Sequence, residues 1–211
     1  MSEKNRVFLL SPAHCGGQRA RLLLGGSGNF ELARSLQSTG HATLGDVFSF
    51  LSGLYFRGKI IYARAFARPP AGATGALVIT PNRGLLSADE PVTLDDLRAF
   101  AEVNIDANDV RYRGPLERDA YELAKSLEES AELILLGSVA SPKYVEVLTA
   151  IFGERLMFPQ QFVGRGDMSR GGLLLRCAEE RQELEYIPVR GAILRGPRPA
   201  KLPRKKVSGT Q

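Results

Sequence analysis

The chain has 211 residues, of which 44% are hydrophobic and 24% are charged, and these values are typical of a globular protein that can bury a core. This composition excludes a fully disordered chain, a collagen-like repeat and, with only two cysteines, a disulfide-based scaffold. The net charge of +5 is unevenly distributed, because seven basic residues and no acidic residue lie between Arg190 and Gln211. No apolar run approaches the roughly 18–20 residues that a membrane span needs, so we expect no membrane partner.

The first part of the chain predicts a buried strand followed by helices. Val7–Leu10 is a short continuous apolar run, which is typical of a buried strand. Thr43 with Asp46 three residues later predicts the start of the strongest helix, whose apolar residues recur at intervals of three and four. We expect Gly58 to interrupt this helix and Pro69 to end it. Two shorter helices are predicted before it, over residues 18–24 and 30–36.

The second part alternates strands and helices. Apolar runs predict strands over residues 76–80, 133–136 and 156–158. Capping residues and spacing predict helices from Thr93 onwards, over residues 115–130 after a loop at 106–113, and from Ser141 to Phe152. The loop Gly164–Gly172 then leads to two apolar runs, Leu173–Cys177 and Leu184–Ile187, which predict a C-terminal β-hairpin.

This order of elements predicts an α/β fold. Strands that alternate with helices at this spacing favour a mostly parallel sheet with helices on both faces, and the hairpin adds antiparallel strands at one edge. We expect a single α/β domain over residues 1–189. Residues 190–211 then form a disordered, basic, Pro-rich tail, which either contacts a polyanion such as nucleic acid or is a solvated end.

The loops that follow the predicted strands are the first place to look for a ligand site, because open α/β sheets bind ligands beyond the carboxyl ends of their strands. Three of these ends carry small and polar residues, and a fourth loop is rich in glycine and arginine. Glycines let backbone N–H groups approach a ligand, and arginines form paired hydrogen bonds with phosphate or carboxylate. The alternative is that these glycines and serines only cap helices and form turns. The candidate ligand-binding residues are Ser11, His14, Gly16, Gly17, Arg19, Asn82, Arg83, Gly84, Ser138, Arg165, Asp167 and Arg170.

Two residues are candidates for catalysis. Cys15 lies between a predicted strand and a predicted helix, and a cysteine at a helix N-terminus can be a nucleophile. The alternatives for Cys15 are a packing role and a contact with substrate. Asp167 lies between Arg165 and Arg170 in the sequence, so it either acts as a base, positions a substrate hydroxyl or amine, or braces the two arginines.

No metal or cofactor motif is present. The two histidines and two cysteines, at positions 14, 41, 15 and 177, lack the paired spacing of metal ligands. The chain has no Gly-x-Gly-x-x-Gly after a strand and no Gly-Lys-Ser/Thr phosphate-binding loop. We therefore expect neither a metal nor a cofactor. With no recognisable export signal, we expect reduced thiols and a cytoplasmic location.

One dense segment combines aromatic and basic side chains. Tyr55 belongs to the apolar face of the predicted helix, whereas Arg57 and Lys59 are interpreted as lying off that face. These two cations either belong to a solvated helix surface or reach a ligand.

The same segment carries a resemblance. Leu54–Tyr62, followed by Val78–Leu86 with its Gly-Leu-Leu turn, resembles a pattern of a family of uncharacterised bacterial α/β domains. These domains are similar to the YaaA-type peroxide-stress proteins and to domains found near deazaguanine-modification enzymes. The resemblance implies an α/β fold, the handling of nucleic acid or nucleobases, and a site that includes Arg83 and Gly84.

These observations lead to two hypotheses of function. In the first, the strand-end loops bind an anionic, nucleotide-like ligand or nucleic acid, with a hydrolase or glycosidase-like activity possible but unassigned. In the second, the protein is a non-catalytic interaction protein whose acidic middle segment and basic ends pair with a partner. The sequence does not determine whether the protein is an enzyme, nor its oligomeric state.

Overall fold

The computed structural model describes residues 4–25, 28–140, 142–193 and 195–200. The predicted helix cap Ser141 and residues 201–211 of the predicted tail lie outside these described residues. The described strands are β1 (Arg6–Leu10), β2 (Ala42–Thr43), β3 (Ala76–Ile79), β4 (Leu85–Ser87), β5 (Pro91–Val92), β6 (Glu132–Leu136), β7 (Leu156–Pro159) and β8 (Tyr186–Pro188). The described α-helices are α1 (Gln18–Leu24), α2 (Glu31–Ser38), α3 (Leu44–Ser52), α4 (Leu54–Phe66), α5 (Leu94–Ala101), α6 (Val110–Ser126), α7 (Pro142–Phe152) and α8 (Asp167–Glu180).

Six of these strands form one mostly parallel sheet, in the order β4-β3-β1-β6-β7-β8. The four inner strands run parallel to one another, and β4 and β8 pair antiparallel at the two edges. The side chains of Val7–Leu10 and Leu133–Leu136 in the two central strands are fully buried, as expected of strands covered on both faces. The α/β fold class is thus confirmed.

Two helix pairs cover the sheet. Helix α4 packs along α8 and also contacts β1 and β3, whereas α6 packs on α7, which contacts β7. The helices on both faces were expected from the alternation of strands and helices. Among the described residues, no helix is both long and apolar enough to cross a membrane.

Local signals locate several helix starts correctly. The Thr43 side chain accepts a hydrogen bond from the Asp46 N–H at the start of α3, and Thr93 and Asp96 form a full capping box at the start of α5. One start is earlier than predicted, since α6 begins at Val110 inside the expected loop. There the Asp109 side chain accepts a hydrogen bond from the Arg111 N–H and caps the helix.

The predicted interruption of the long helix at Gly58 is wrong, because the break occurs at Gly53 instead. Gly53 has φ 64°, ψ −134°, a conformation that L side chains rarely adopt, and it separates α3 from α4. Gly58 lies inside α4, where a methyl group in place of its hydrogen would lie 2.8 Å from the carbonyl oxygen of Gly171 in α8. Gly58 therefore allows α4 and α8 to pack closely, and it does not interrupt the helix.

The antiparallel strand pair expected at the C-terminal edge is present as β7 and β8, but its first strand is not Leu173–Cys177. That segment belongs to α8, whose buried residues Gly171, Leu174, Cys177 and Ala178 recur at helical spacing. A short apolar run does not distinguish a strand from a buried helical segment, and here the helical alternative is correct. The predicted Gly164–Gly172 loop is correspondingly shorter, since α8 begins at Asp167.

Candidate functional site

The candidate site is a cavity of about 320 Å³ above the carboxyl ends of the two central strands. After β1 the chain forms β3, which lies on one side of β1. It later forms β6, which lies on the other side of β1. A position between two such strands is the topological switch point at which open α/β sheets bind ligands. Ser11, directly after β1, and Ser138, shortly after β6, both line this switch-point cavity.

Four predicted residues meet in the switch-point cavity. Ser11 and His14 line it from the loop after β1, Ser138 lines it from the loop after β6, and Asp167 lines it from the first turn of α8. Gly16 and Gly17 lie against the His14 imidazole, since added methyl groups there would lie 3.5 and 3.2 Å from its carbon atoms. The parallel strand order thus brings together segments that are far apart in the sequence.

Lys59 is the central polar side chain of the cavity. It is only 1% exposed, and its Nζ donates hydrogen bonds to the Ser11 carbonyl oxygen at 2.7 Å and to the Ser11 Oγ at 2.9 Å. The amine also lies 4.6 Å from the ring centroid of Tyr55 and 4.5 Å from that of Phe56. Ring faces favour the charged ammonium, but the loss of hydration opposes it more strongly. Burial therefore lowers the pKa of Lys59 from its ordinary value to about 7.

The position of Lys59 follows from the packing of α4 against α8. The buried residues of α4 include Tyr55, Phe56, Lys59, Tyr62 and Ala63, which lie at intervals of three and four. Lys59 thus occupies the middle of the apolar face of this helix and not its solvated side. The prediction that Lys59 lies off the apolar face is wrong, although the spacing that reveals its burial was available in the sequence.

A second set of polar groups surrounds Ser138. The Tyr144 hydroxyl accepts a hydrogen bond from the Ser138 N–H at 2.9 Å and donates one to the Ser138 carbonyl oxygen at 3.0 Å. The adjacent Gly137 permits this arrangement, because a methyl group there would lie 2.8 Å from both the Ser11 Cβ and the Tyr144 hydroxyl oxygen. These contacts fix the conformation of the loop that follows β6, at residues 137 and 138. Lys143, the neighbour of Tyr144 in α7, is exposed and also lines the cavity.

The buried Tyr55 hydroxyl makes no hydrogen bond of normal geometry among the described residues, although the Arg170 side chain is close enough to interact with it and Tyr55 lines the cavity. Burial raises the pKa of Tyr55, and the nearby positive charge of Arg170 only partly opposes this rise. A buried hydroxyl without a partner is unfavourable unless another molecule supplies one.

Arg170 and Asp167 form a pair beside the cavity. The Arg170 guanidinium donates to the Phe162 carbonyl oxygen through two nitrogens and lies 3.5 Å from the Asp167 carboxylate. The carboxylate is exposed on one side, with a side-chain exposure of 70%. Asp167 is therefore close to an arginine and also presents its carboxylate to the cavity.

The other predicted residues lie elsewhere and have structural partners. Arg83 pairs with Glu90 at 3.4 Å and with Asp96 at 3.2 Å, so its charge is neutralised by nearby acids. Asn82 donates to the Ala99 carbonyl oxygen, and Arg19 donates to that of Phe50. None of these three belongs to the lining that the described residues form around the switch-point cavity.

Two further predicted positions are also explained by packing. Gly84 has φ 66° and leaves room for Asp119, whose carboxylate accepts a hydrogen bond from the Leu85 N–H. Arg165 donates to the Gln161 carbonyl oxygen at 3.0 Å and to the Ser169 Oγ at 3.1 Å. Both residues stabilise loop conformations within the described structure.

Cys15 does not have the environment of a nucleophile. It is 4% exposed, and burial raises its pKa to about 12, whereas a catalytic cysteine needs a lowered pKa. Its Sγ donates a hydrogen bond to the Ala13 carbonyl oxygen at 3.5 Å. Packing is thus the role that the geometry of Cys15 favours.

We expect native Cys15 to react slowly with iodoacetamide at pH 7.5. Because the thiolate is scarce and the sulfur is covered, labelling should be at least about tenfold slower than in the urea-unfolded chain. Peptide mapping by mass spectrometry measures this rate, with Cys177 as the internal control for a second buried thiol. Labelling of Cys15 at the rate of the unfolded chain would restore its candidacy as a nucleophile.

The described residues contain no group of three or more His, Cys, Asp or Glu side chains arranged to hold a metal ion. Comparisons with protein-family models, with curated proteins and with solved structures find no match to this chain. The fold and the cavity define the molecule as a mixed α/β protein with a polar, lysine-containing cavity at the switch point of its sheet.

Proposed function

We propose that this protein binds a small anionic, nucleotide-like ligand in the switch-point cavity. The observation that carries the proposal is the presence of two lysines, Lys59 and Lys143, in the lining of one cavity at the carboxyl ends of β1 and β6. The Lys143 ammonium, with the Lys59 amine and the serine hydroxyls beside it, supplies the hydrogen-bond donors that phosphate and carboxylate groups need on a concave site.

The charge and size of the cavity support a small ligand over a nucleic-acid strand. Its lining includes Lys59, Lys143 and His14 together with the carboxylate of Asp167, and Arg170 lies behind that carboxylate. A volume of about 320 Å³ is at the lower end of the range for ligand pockets, which suits one small molecule. The nucleotide-like part of the proposal comes from the resemblance of Leu54–Tyr62 and Val78–Leu86, of which only the first segment contributes to the cavity lining, through Tyr55 and Lys59.

Calorimetric titration tests the proposal with adenosine 5′-monophosphate, uridine 5′-monophosphate and inorganic phosphate at pH 7 and low salt. We expect Lys143→Gln to weaken the binding of these anions by about three- to tenfold, since it removes a charge-assisted contact at the cavity mouth. Lys125→Gln is the matched control, because Lys125 pairs with Glu122 on the exposed surface of α6. The affinity of Lys125→Gln for the three anions should equal that of the wild type.

A shortened chain that ends at residue 200 separates the cavity from the last eleven residues of the basic tail. If the cavity is the binding site, the affinity for mononucleotides is unchanged in this chain, although four basic residues are removed. Absence of binding to all three anions would contradict the proposal. A change of oligomeric state on truncation, together with that absence, would favour the alternative of a non-catalytic interaction protein.

A further inference from the structure

The two hydrogen bonds of Lys59 are bonds that a neutral amine can make. A neutral amine has two N–H bonds and one lone pair, whereas the ammonium form has three N–H bonds. Nζ donates to two oxygen acceptors, both on Ser11, and forms no ion pair with any carboxylate of the described chain. With its two N–H bonds directed at Ser11, a neutral Nζ retains a lone pair.

The environment of Lys59 makes the neutral form a substantial fraction near pH 7. Burial is the largest influence on the amine and lowers the pKa of Lys59 to about 7, while Asp167 partly opposes this shift and Arg170 adds to it. An ordinary lysine, with a pKa of about 10.4, is neutral in only roughly 0.04% of molecules at pH 7. A desolvated lysine next to other cationic groups is the usual environment of an amine nucleophile.

The Tyr55 hydroxyl is a second, independent observation at the same place. It is buried, it makes no hydrogen bond of normal geometry within the described residues even though Arg170 is nearby, and the Tyr55 ring lies beside the Lys59 amine. A ligand oxygen bound next to Nζ would satisfy this hydroxyl. Lys59 and Tyr55 both line the cavity, so the amine and the hydroxyl belong to the same small site.

We propose that Lys59 forms a Schiff base with the aldehyde or ketone group of a small anionic ligand, and that the Tyr55 hydroxyl relays the protons of this condensation. This inference rests on the proposed function, since Lys143 at the cavity mouth holds the anionic group while the carbonyl group reaches Lys59. The substrate class is accordingly a phosphorylated or carboxylated carbonyl compound.

The condensation balances without any additional reactant. The Nζ lone pair forms a bond with the carbonyl carbon, and the carbonyl π electrons move to oxygen, which takes a proton from Tyr55. Nζ releases a proton that restores the Tyr55 hydroxyl, and a carbinolamine results. Loss of the second Nζ proton and of the oxygen as water then leaves the C=N bond, so that one amine and one carbonyl give one imine and one water.

Reductive trapping tests this inference on the full chain. The probe is D-glyceraldehyde 3-phosphate with sodium cyanoborohydride at pH 7, and peptide mapping by mass spectrometry compares the modification rates of the individual lysines. We expect Lys59 to be modified at least about tenfold faster than Lys125 or Lys143. Because the comparison is made within the wild-type protein, it does not depend on the folding of a variant.

The carbonyl-free analogue glycerol 3-phosphate separates this inference from the proposed function. Trapping at Lys59 that glycerol 3-phosphate slows supports both. Binding of glycerol 3-phosphate without trapping at Lys59 overturns the Schiff base and leaves the anion site intact. A third outcome is trapping at Lys59 while glycerol 3-phosphate neither binds nor slows the trapping. That outcome supports Lys59 as a nucleophile and contradicts the anion site.

Tyr55→Phe tests the relay. We expect about tenfold slower trapping at Lys59, measured at saturating D-glyceraldehyde 3-phosphate so that any weaker binding of the ligand does not enter the comparison. Tyr112→Phe is the matched control, since the Tyr112 hydroxyl is also buried without a partner among the described residues but lies outside the cavity lining. Equal trapping rates in Tyr55→Phe and Tyr112→Phe would show that Tyr55 takes no part.

Discussion

Gly171→Val is expected to destabilise the protein by about 3 kcal/mol or more, the upper range for overpacking a core. A methyl group at this position would lie 2.8 Å from the Tyr55 Cα and 2.9 Å from the Leu54 carbonyl oxygen. Both are backbone atoms of α4, so no side-chain rotation relieves the contact, and the two helices have to separate. Urea unfolding followed by circular dichroism measures the loss of free energy.

Met168→Val is the control for Gly171→Val. It introduces the same β-branched residue into the same helix, at a side chain that is 69% exposed, so we expect a change within about 0.5 kcal/mol. A similar stability of the two variants would contradict the close packing of α4 and α8. Because Tyr55 and Lys59 lie on α4, loss of that packing should also weaken ligand binding in the switch-point cavity.

The second large effect is a dependence of stability on pH that comes from Lys59. In the unfolded chain this lysine has its ordinary pKa, whereas burial lowers the pKa to about 7 in the folded protein. Between these two values the unfolded state binds more protons, so the free energy of unfolding rises with pH. Below about pH 7 the amine is charged in both states and the full cost of its burial is present. Above its ordinary pKa the amine is neutral in both states and that cost is absent.

Lys59→Met removes this dependence. Relative to the variant, the wild type should gain up to about 1.4 kcal/mol per pH unit between pH 7 and pH 9. The measurement stops at pH 9 because tyrosines of the unfolded chain begin to ionise near pH 10. Burial raises the pKa of Tyr62 in the folded protein, so the free energy of unfolding falls once the unfolded tyrosine ionises. Urea unfolding at a series of pH values supplies the two curves.

Lys125→Met is the control for this experiment, because the exposed Lys125 contributes no comparable cost of burial. Its curve should follow that of the wild type. If the curve of Lys59→Met were parallel to that of the wild type, the amine would keep its ordinary pKa in the folded state. The inference of a neutral amine near pH 7 would then fail.

The sequence alone determines the features of this protein that depend on neighbours in the chain. Val7–Leu10 and Leu133–Leu136 are continuous apolar runs, which are stable only when covered on both faces, and they form the two central strands. The Thr93 capping box uses residues three apart, so it too is visible before folding. The class of fold and the strand ends that carry Ser11 and Ser138 follow from such signals.

Other features depend on contacts between segments that are far apart in the sequence, and only the tertiary structure decides them. Lys59 is desolvated because α8 crosses α4 at Gly58 and Gly171, a contact between residues more than a hundred positions apart. Tertiary structure also decides the role of Arg83 over a shorter range: it has the residue type of a phosphate ligand, yet the chain folds back so that Glu90 and Asp96 pair with it. A local pattern records which groups a segment carries, whereas hydration, charge pairing and helix spacing are set by the packing of the whole chain.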